Sequence, residues 1–513
     1  MHPSDDEPGD GERPEDNRFL KQFFDLAKLP LTYDWKIDPS QRIYANRNLK
    51  MDEIGAIGFD MDYTLAIYLK REIEELAFEL ALDKMVSERG YPEAVRGVKY
   101  DPNGIIRGVV ADRKLGNFLK MDQFHVVTAA THGGRPLDDA QRRELYHNRK
   151  IRLGQERYFS ADTLFALPEC ALFQQFVDFA DAHPDVLAPD YPKLYDDVRA
   201  ALDVVHRDNS LKGRILSEPE RYIYRDPRLA GTLDKFLKGG KKLFIVTNSE
   251  WHYTAAVMAF LLDGQIEYLP HWTDYFELIV VESSKPRFFL ETIPLLPVDE
   301  AEMPAGSRPG KLFRKGSVAA LDELLQVRSE GVLFVGDHIY GDILRSKKQC
   351  GWRTVMIVEE MERELSANKS ARHMLEQAER LRRRIERLDF KRNLLHMKIG
   401  MMERLQEGRG AGPDLEEQLA RQQAELLELD EEIASMNLDL ADMEAALERR
   451  YNPVWGPLFR AGGEISRFGQ QVQAYACLYT GRVSNFLAYP FNKFFRSPRD
   501  LMPHDLQDGP PSP

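Results

Sequence analysis

Cysteine is scarce in this 513-residue chain, with three in all: Cys170, Cys350 and Cys477. They are too scattered for a disulfide framework and lack the spacing of zinc ligands, so neither staple is expected to hold the fold. Long apolar runs are missing too. No stretch approaches the roughly 18 residues of a membrane-spanning helix, so no membrane partner is expected. Positive charge is in deficit: 70 Lys and Arg against 83 Asp and Glu leave a formal net charge of −13. That balance argues against nucleic acid as a partner, since a general basic surface is absent. The opening MHPSDDEPGDGERPEDNR holds no apolar segment either. Residues 1–18 therefore read as a disordered acidic tail rather than a signal peptide, and a reducing cytoplasm is the expected compartment. A second short disordered tail is expected at 505–513.

What is present is apolar material for real cores, 43% of the chain, enough for two or three domains. Three segments share one design, a short apolar run that ends in polar residues: AIGFDMD at 56–62, KKLFIVTNS at 241–249 and GVLFVGDH at 331–338. A fourth run, RTVMIV, follows at 353–358. Such runs fit central parallel strands covered on both faces. Helical patterns separate them; Ile73, Leu76, Ala77 and Leu80 recur at helical spacing before Gly90. The expected fold is α/β, a doubly wound parallel sheet, in which ligands gather at the carboxyl ends of the strands.

The first part of that core is expected at 19–70 and the second at 215–360. The interval 71–214 is too long for one crossover and reads as an inserted α+β cap domain. Over 361–450, apolar residues follow a 4,3 spacing twice, from Met374 to Met402 and from Leu415 to Leu447, around the break GRGAGP. This predicts an antiparallel helical hairpin, equally consistent with packing on itself and with a partner-binding coiled coil. Residues 451–504 are expected to pack back on the core.

The polar tails carry the chemistry. An isolated DxDxT such as Asp60, Asp62 and Thr64 is most often a capped turn. Here a second tail supplies Thr247, Asn248 and Ser249, a third supplies Asp337 and Asp342, and Lys285 stands between them in ESSKPRFF. Hydroxyl and amide donors, one ammonium and several carboxylates converging on one sheet edge suit a phosphoryl group bound with a divalent cation. The carboxylates would repel one another without it, and hard oxygen ligands favour Mg²⁺. Side chains two apart in an extended segment point the same way, so Asp60 and Asp62 can reach one phosphate.

The motifs GFDMDYTLAIY, ERYFSADTLFALPE, DDVRAALDVVH, ESSKPRFF, GDHIYGDILRSKK and GWRT, with the late segment from LFRAGGEISRFG to SPRDLMPH, occur in order between about residues 43 and 504. Together they resemble the cytosolic purine 5′-nucleotidase family of the haloacid dehalogenase superfamily. The resemblance implies Mg²⁺-dependent hydrolysis of purine nucleoside 5′-monophosphates, with IMP and GMP preferred, and nucleoside phosphotransfer through the same intermediate. It makes Asp60 the nucleophile and Asp62 first the acid for the leaving ribose oxygen, then the base for water. Thr247, Asn248 and Lys212 would bind phosphate, and Lys285 would offset charge developing on it. Asp60, Asp337 and the backbone carbonyl of Asp62 would hold the metal. Asp342 would orient a metal-bound water or Lys285, and Thr64 would support the loop.

Arg199, Asp203 and His206 fall at i, i+4 and i+7 and share one helical face. As a bare pattern this is an exposed ion pair. The resemblance turns it into a base-reading helix, in which a guanidinium donates to O6 of a 6-oxopurine and a carboxylate accepts from N1–H. Adenine presents the opposite pattern and would leave those groups unpaired. Phe165 matches the base-stacking aromatic, and as a residue alone reads equally well as a core phenylalanine. The resemblance also implies a homo-oligomer, dimer or tetramer. Two departures stand out: Asp162 occupies an effector-region position where Asn is expected, and the chain ends MPHDLQDGPPSP without a long acidic run. Two other readings remain: the same chemistry on another nucleotide or phosphorylated metabolite, and a catalytically silent interaction protein that uses the hairpin.

Overall fold

Residues 37–147, 151–299, 311–409 and 412–498 are described by the structure, a computed structural model. The tails expected at 1–18 and 505–513 lie outside these residues. Among the described residues, nine strands form the main sheet: β1 (Tyr44–Ala45), β2 (Ala56–Phe59), β3 (Lys242–Val246), β4 (Leu278–Val281), β5 (Leu295–Pro297), β6 (Leu312–Lys315), β7 (Val332–Gly336), β8 (Arg353–Ile357) and β9 (Leu478–Thr480). Their order is β1-β9-β8-β7-β2-β3-β4-β6-β5. All neighbours from β9 to β6 run parallel, and only the edge strands β1 and β5 are antiparallel. The expected doubly wound α/β core is present.

β2 lies in the middle, buried at all four positions, as its unbroken apolar run requires. Gly58 makes that packing possible, since a Cβ there would sit 2.3 Å from the Phe244 ring. From β2 the chain builds outward through β3 and β4, then returns to the other side of β2 with β7. The crevice at the carboxyl ends of β2 and β7 is thus the topological switch point, where such sheets bind ligands.

The chain leaves the core through Ile67–Tyr68 and comes back through Ile223–Tyr224, and these two segments pair as an antiparallel ribbon. Between them stand helices α1 (Lys70–Ser87), α2 (Leu167–Ala182) and α3 (Tyr191–Arg207) and a five-stranded antiparallel sheet. In that sheet Val110–Asp112 pairs with Asn117–Met121, the stretch whose sequence reads as hairpin material. Helix α3 is amphipathic: Leu194, Val198, Ala201, Leu202 and Val205 are buried, which leaves Arg199 and Asp203 outward.

After β8 come α4 (Met361–Arg409) and α5 (Pro413–Tyr451), packed along a seam that includes Ile385, Leu395, Leu429 and Ile433. Arg392 interrupts the seam and pairs with Asp389 and Asp430. No described helix is long and apolar enough to cross a membrane.

Candidate active site

Asp60 follows directly on β2. Its N–H donates to the Val335 carbonyl of β7 at 2.9 Å, so the end of one strand fixes the first carboxylate on the tip of its neighbour. The chain then turns sharply: the N–H groups of Thr64, Leu65 and Ala66 all donate to the Met61 carbonyl, and Tyr63 takes a left-handed φ of 53°. A tyrosine held there is strained backbone, of the kind that collects at functional sites. Thr64 is buried inside this turn, with a hydroxyl that finds no partner among the described residues.

β7 ends at Gly336, and Asp337 and His338 follow it. The His338 ring Nδ1 accepts from the N–H groups of Tyr340 and Gly341 and caps the π-helical turn Ile339–Leu344, which carries Asp342 back toward the strand. Glycine is required at 336 because a Cβ would lie 2.5 Å from that of Asp342. Arg107 of the cap donates to Glu360 through two nitrogens and to the Asp337 carbonyl at 3.2 Å. A fully buried guanidinium thus ties the cap to this turn.

Lys285 arrives on the loop after β4, where Glu282 and Ser284 also adopt left-handed φ values of 51° and 58°. Its ammonium lies 2.9 Å from Asp60 Oδ1 and 2.7 Å from Asp342 Oδ1. The Asn248 amide holds this loop, accepting from the Lys285 N–H and the Ser283 hydroxyl and donating to the Lys285 carbonyl. Thr247, fully buried at the end of β3, accepts through Oγ1 from the Ser249 N–H at 3.1 Å.

Electrostatics follow from this crowding. Burial raises the Asp60 carboxyl to about 6 against the pull of Lys285, and Asp342 adds to the rise. Burial, then Asp342 and Asp60, push Asp337 well above the ordinary range. Burial would lower the Lys285 ammonium, but Asp342 and Asp60 outweigh it and hold it above its usual value. One oxygen from each of Asp60, Asp337 and Asp342 lies within 4.8 Å of the others, and Asp337 Oδ2 is buried without a donor among the described residues. Three carboxylates against one ammonium leave excess negative charge, and an orphaned oxygen among hard ligands fits a cation such as Mg²⁺.

Asp62 is held apart from that cluster. Tyr68 donates to its Oδ1 at 2.5 Å and Ser249 to its Oδ2 at 2.6 Å, while the Tyr253 hydroxyl lies 2.9 Å behind Tyr68. Burial and the charge of Asp60 raise its carboxyl, and the Ser249 and Tyr68 hydrogen bonds oppose the rise. The two aspartates of one motif therefore sit in different surroundings, one facing an ammonium and carboxylates, the other facing hydroxyls.

On the cap side, Phe165, His206, Lys212 and Tyr63 line one cavity with Asp62 and Tyr253. Phe165 is 45% exposed, with its ring 4.8 Å from that of Tyr63 and 6.3 Å from that of His206. It is an exposed wall residue, not a core phenylalanine. Lys212 reaches Glu250 at 3.7 Å. Asp203 and Arg199 stand outside this cavity wall, one and two turns back along α3 from His206; Arg199 lies 3.6 Å from the mostly buried Glu169, which also accepts from Tyr195. Asp162 forms a buried ion pair with Arg467. Tyr68, Tyr253, Arg107 and Glu169 escaped the sequence reading. Tyr68 left a signal, a hydroxyl six residues after Asp62 in the same motif, whereas Arg107 left none.

A family model described as the 5′ nucleotidase family matches residues 43–507. A 5′-nucleotidase domain-containing protein of Dictyostelium discoideum is 28% identical over 512 residues, covering 96% of this chain and 80% of its own. The 5′-nucleotidase domain-containing protein 2 of Homo sapiens is 28% identical over 480 residues, covering 90% and 85%. Among solved structures, a predicted phosphoglycolate phosphatase of Haemophilus somnus covers 60% of this chain and 86% of its own at 14% identity, with a TM-score of 0.26. The match from residue 43 to 507 takes in both strand tips, the cap and the return to the sheet, and the chain accordingly belongs to the 5′ nucleotidase family, as a phosphoric monoester hydrolase.

Proposed function

We propose that the protein is a Mg²⁺-dependent 5′-nucleotidase acting on purine nucleoside 5′-monophosphates, with IMP and GMP preferred. The reading rests above all on the tips of β2 and β7, where Asp60 meets Lys285 and a buried oxygen of Asp337 beside them lacks a donor among the described residues. Asp60 attacks the phosphorus and the P–O5′ bond breaks, while Asp62 gives its proton to the leaving ribose oxygen. Burial and the Asp60 charge favour the protonated form that this role needs. Ionised Asp62 then takes a proton from the water that hydrolyses the aspartyl-phosphate and frees Asp60. A nucleoside hydroxyl in place of that water receives the phosphoryl group instead, which makes the enzyme a phosphotransferase. Lys285 offsets charge on the phosphate oxygens, aided by Thr247, Asn248 and, from the cap, Lys212. Asp60, Asp337 and the Asp62 backbone carbonyl would hold Mg²⁺, which supplies further charge neutralisation. Asp342 keeps Lys285 oriented.

Base choice belongs to the cap. From His206 back to Arg199, α3 runs about 10 Å, a distance on the scale of a nucleoside laid along the helix with its phosphate at Asp62. Phe165 would stack on the base, His206 would close the cavity beside it, and Arg199 and Asp203 would read the 6-oxopurine edge. The free cysteines suit a cytoplasmic setting. Phosphate release from IMP, GMP, AMP, CMP and UMP, with Mg²⁺ or with EDTA, tests the proposal. Metal-dependent release from IMP and GMP, lost in Asp60→Asn, is expected. Release from a different member of the panel would keep the chemistry and discard the base assignment, and silence on all five would overturn both.

A further inference from the structure

Arg107 is the cap residue that reaches the strand tips yet has no task in the chemistry above. It stands on the loop that enters the five-stranded cap sheet, and its side chain is fully buried. Just past β8, Glu360 accepts from its Nε at 3.0 Å and from a second nitrogen, a forked carboxylate pair. Just past β7, the Asp337 carbonyl accepts from its third nitrogen at 3.2 Å. The guanidinium also lies 5.0 Å from the centre of the Phe468 ring. All three nitrogens are thus engaged, on two neighbouring strand tips.

The Asp337 carbonyl has no donor from its own turn. The N–H groups of Asp342 and Ile343 both stop one residue later, on the His338 carbonyl, at 2.9 and 3.3 Å. A buried carbonyl needs a partner, and here the cap supplies it. The same residue carries Oδ2, buried without a donor among the described residues. Pinning the carbonyl fixes the backbone of Asp337 and with it the direction in which that oxygen points.

The loop that carries Arg107 is itself held. Gly108 takes a φ of 91°, where a Cβ would come 2.7 Å from Phe468. Its N–H donates to the Ala161 carbonyl at 2.7 Å, and its carbonyl accepts from Arg467 at 3.2 Å. Arg467 in turn pairs with Asp162. Two buried arginines therefore meet at adjacent residues of one cap loop, and of the two Arg107 alone donates to the turn that bears Asp337.

We propose that Arg107 is a positioning residue for the metal site: it holds the Asp337 carbonyl so that the Asp337 carboxylate faces the cation, and so couples cap docking to Mg²⁺ affinity. The inference rests on the Mg²⁺-dependent reading given above. By linkage the coupling runs both ways, so a cap loop that favours the cation is made firmer by it.

Titration calorimetry of Mg²⁺ into the EDTA-treated full chain tests this, with Arg107→Lys and Arg467→Lys beside the wild type. Lysine keeps the charge but is a point donor, unable to hold a carboxylate and a carbonyl together. Both variants should lower the melting temperature alike, since each loosens a buried pair of the same kind. Arg107→Lys alone is expected to raise the Mg²⁺ dissociation constant, by about 10-fold, the scale of a lost contact behind a metal ligand. Its turnover should recover as Mg²⁺ is raised, with KM for p-nitrophenyl phosphate unchanged. Glu360→Asp keeps the buried charges paired while drawing the guanidinium back, and should give a smaller rise in the same direction. Hydrogen exchange reads the reverse coupling: Mg²⁺ should slow exchange at residues 107–110 in the wild type and not in Arg107→Lys. Unchanged Mg²⁺ affinity in Arg107→Lys, or an equal loss in Arg467→Lys, would overturn the proposal and leave Arg107 a cap tie alone. A wild type that takes up no Mg²⁺ and turns over in EDTA would instead overturn the metal reading, and the proposal with it.

Discussion

The strand tips and the cap wall are built to different standards. At the tips, each reacting side chain is buried or nearly so and held by more than one group. Lys285 lies between Asp60 and Asp342, Asp62 accepts from Tyr68 and Ser249, and Asn248 braces the Lys285 loop through three hydrogen bonds. On the cap side the ion pairs are long, 3.6 Å for Arg199 with Glu169 and 3.7 Å for Lys212 with Glu250, and Phe165 is nearly half exposed. Phosphate chemistry needs charges in place before the substrate arrives, because their reorganisation would otherwise be added to the barrier. Recognition of a base can be completed by the base itself. The difference is what the proposed division calls for, with the reaction carried by the core and substrate choice by the cap.

The sharpest way to break that division is Asp60→Asn. It should reduce turnover at least about 10³-fold on every phosphate monoester, nucleotide or p-nitrophenyl phosphate alike, in a phosphate-release assay. Substantial residual turnover would move the nucleophile elsewhere. Next in size, Arg199→Ala should cost about 10- to 100-fold in kcat/KM for IMP yet leave p-nitrophenyl phosphate untouched. Equal losses on both substrates would mean that the cap residue serves the chemistry after all.

Tyr68→Phe should cost about 10-fold in kcat on IMP, the scale of one lost hydrogen bond to a charged group. Little change is expected on p-nitrophenyl phosphate, whose leaving group needs no proton from Asp62. The smallest effect concerns stability away from both regions. Glu74, buried on α1 beside Lys70 and Tyr100, is raised by burial from 4.5 to about 7. A native state that binds this proton more tightly than the unfolded chain has the stabilisation in full below about pH 4.5 and loses it as pH rises through about 7. Melting temperature should therefore fall over that window in the wild type, and Glu74→Gln should flatten the fall, by on the order of 1–3 kcal/mol at the alkaline end.

Much of the core was legible along the chain. Four unbroken apolar runs became β2, β3, β7 and β8, since strands covered on both faces leave no alternation to misread. The heptads at 361–450 became two long helices for the same kind of reason, a period that only one structure satisfies. The cap was legible as an interval too long for a crossover with hairpin material in it, but not as a five-stranded sheet. The equal readings of Phe165 divided in favour of a wall residue because its neighbours, Tyr63 and His206, come from the nucleophile turn and from α3, far away in sequence. That the Asn248 amide also braces the Lys285 loop, 37 residues on, leaves no trace in the local pattern.

The sequence by itself determined what lies within one element: two carboxylates two residues apart after a buried strand, three polar groups on one face of α3, and an inner seam along each arm of the hairpin. Those patterns follow from the periods of strand and helix, which act over a few residues. Tertiary structure alone decided which carboxylates share Lys285, that Tyr68 and not a cap residue steadies Asp62, and that Arg107 reaches the Asp337 carbonyl 230 residues away. Such pairings depend on how distant segments are brought together across the sheet and the cap ribbon, and no local period records that distance.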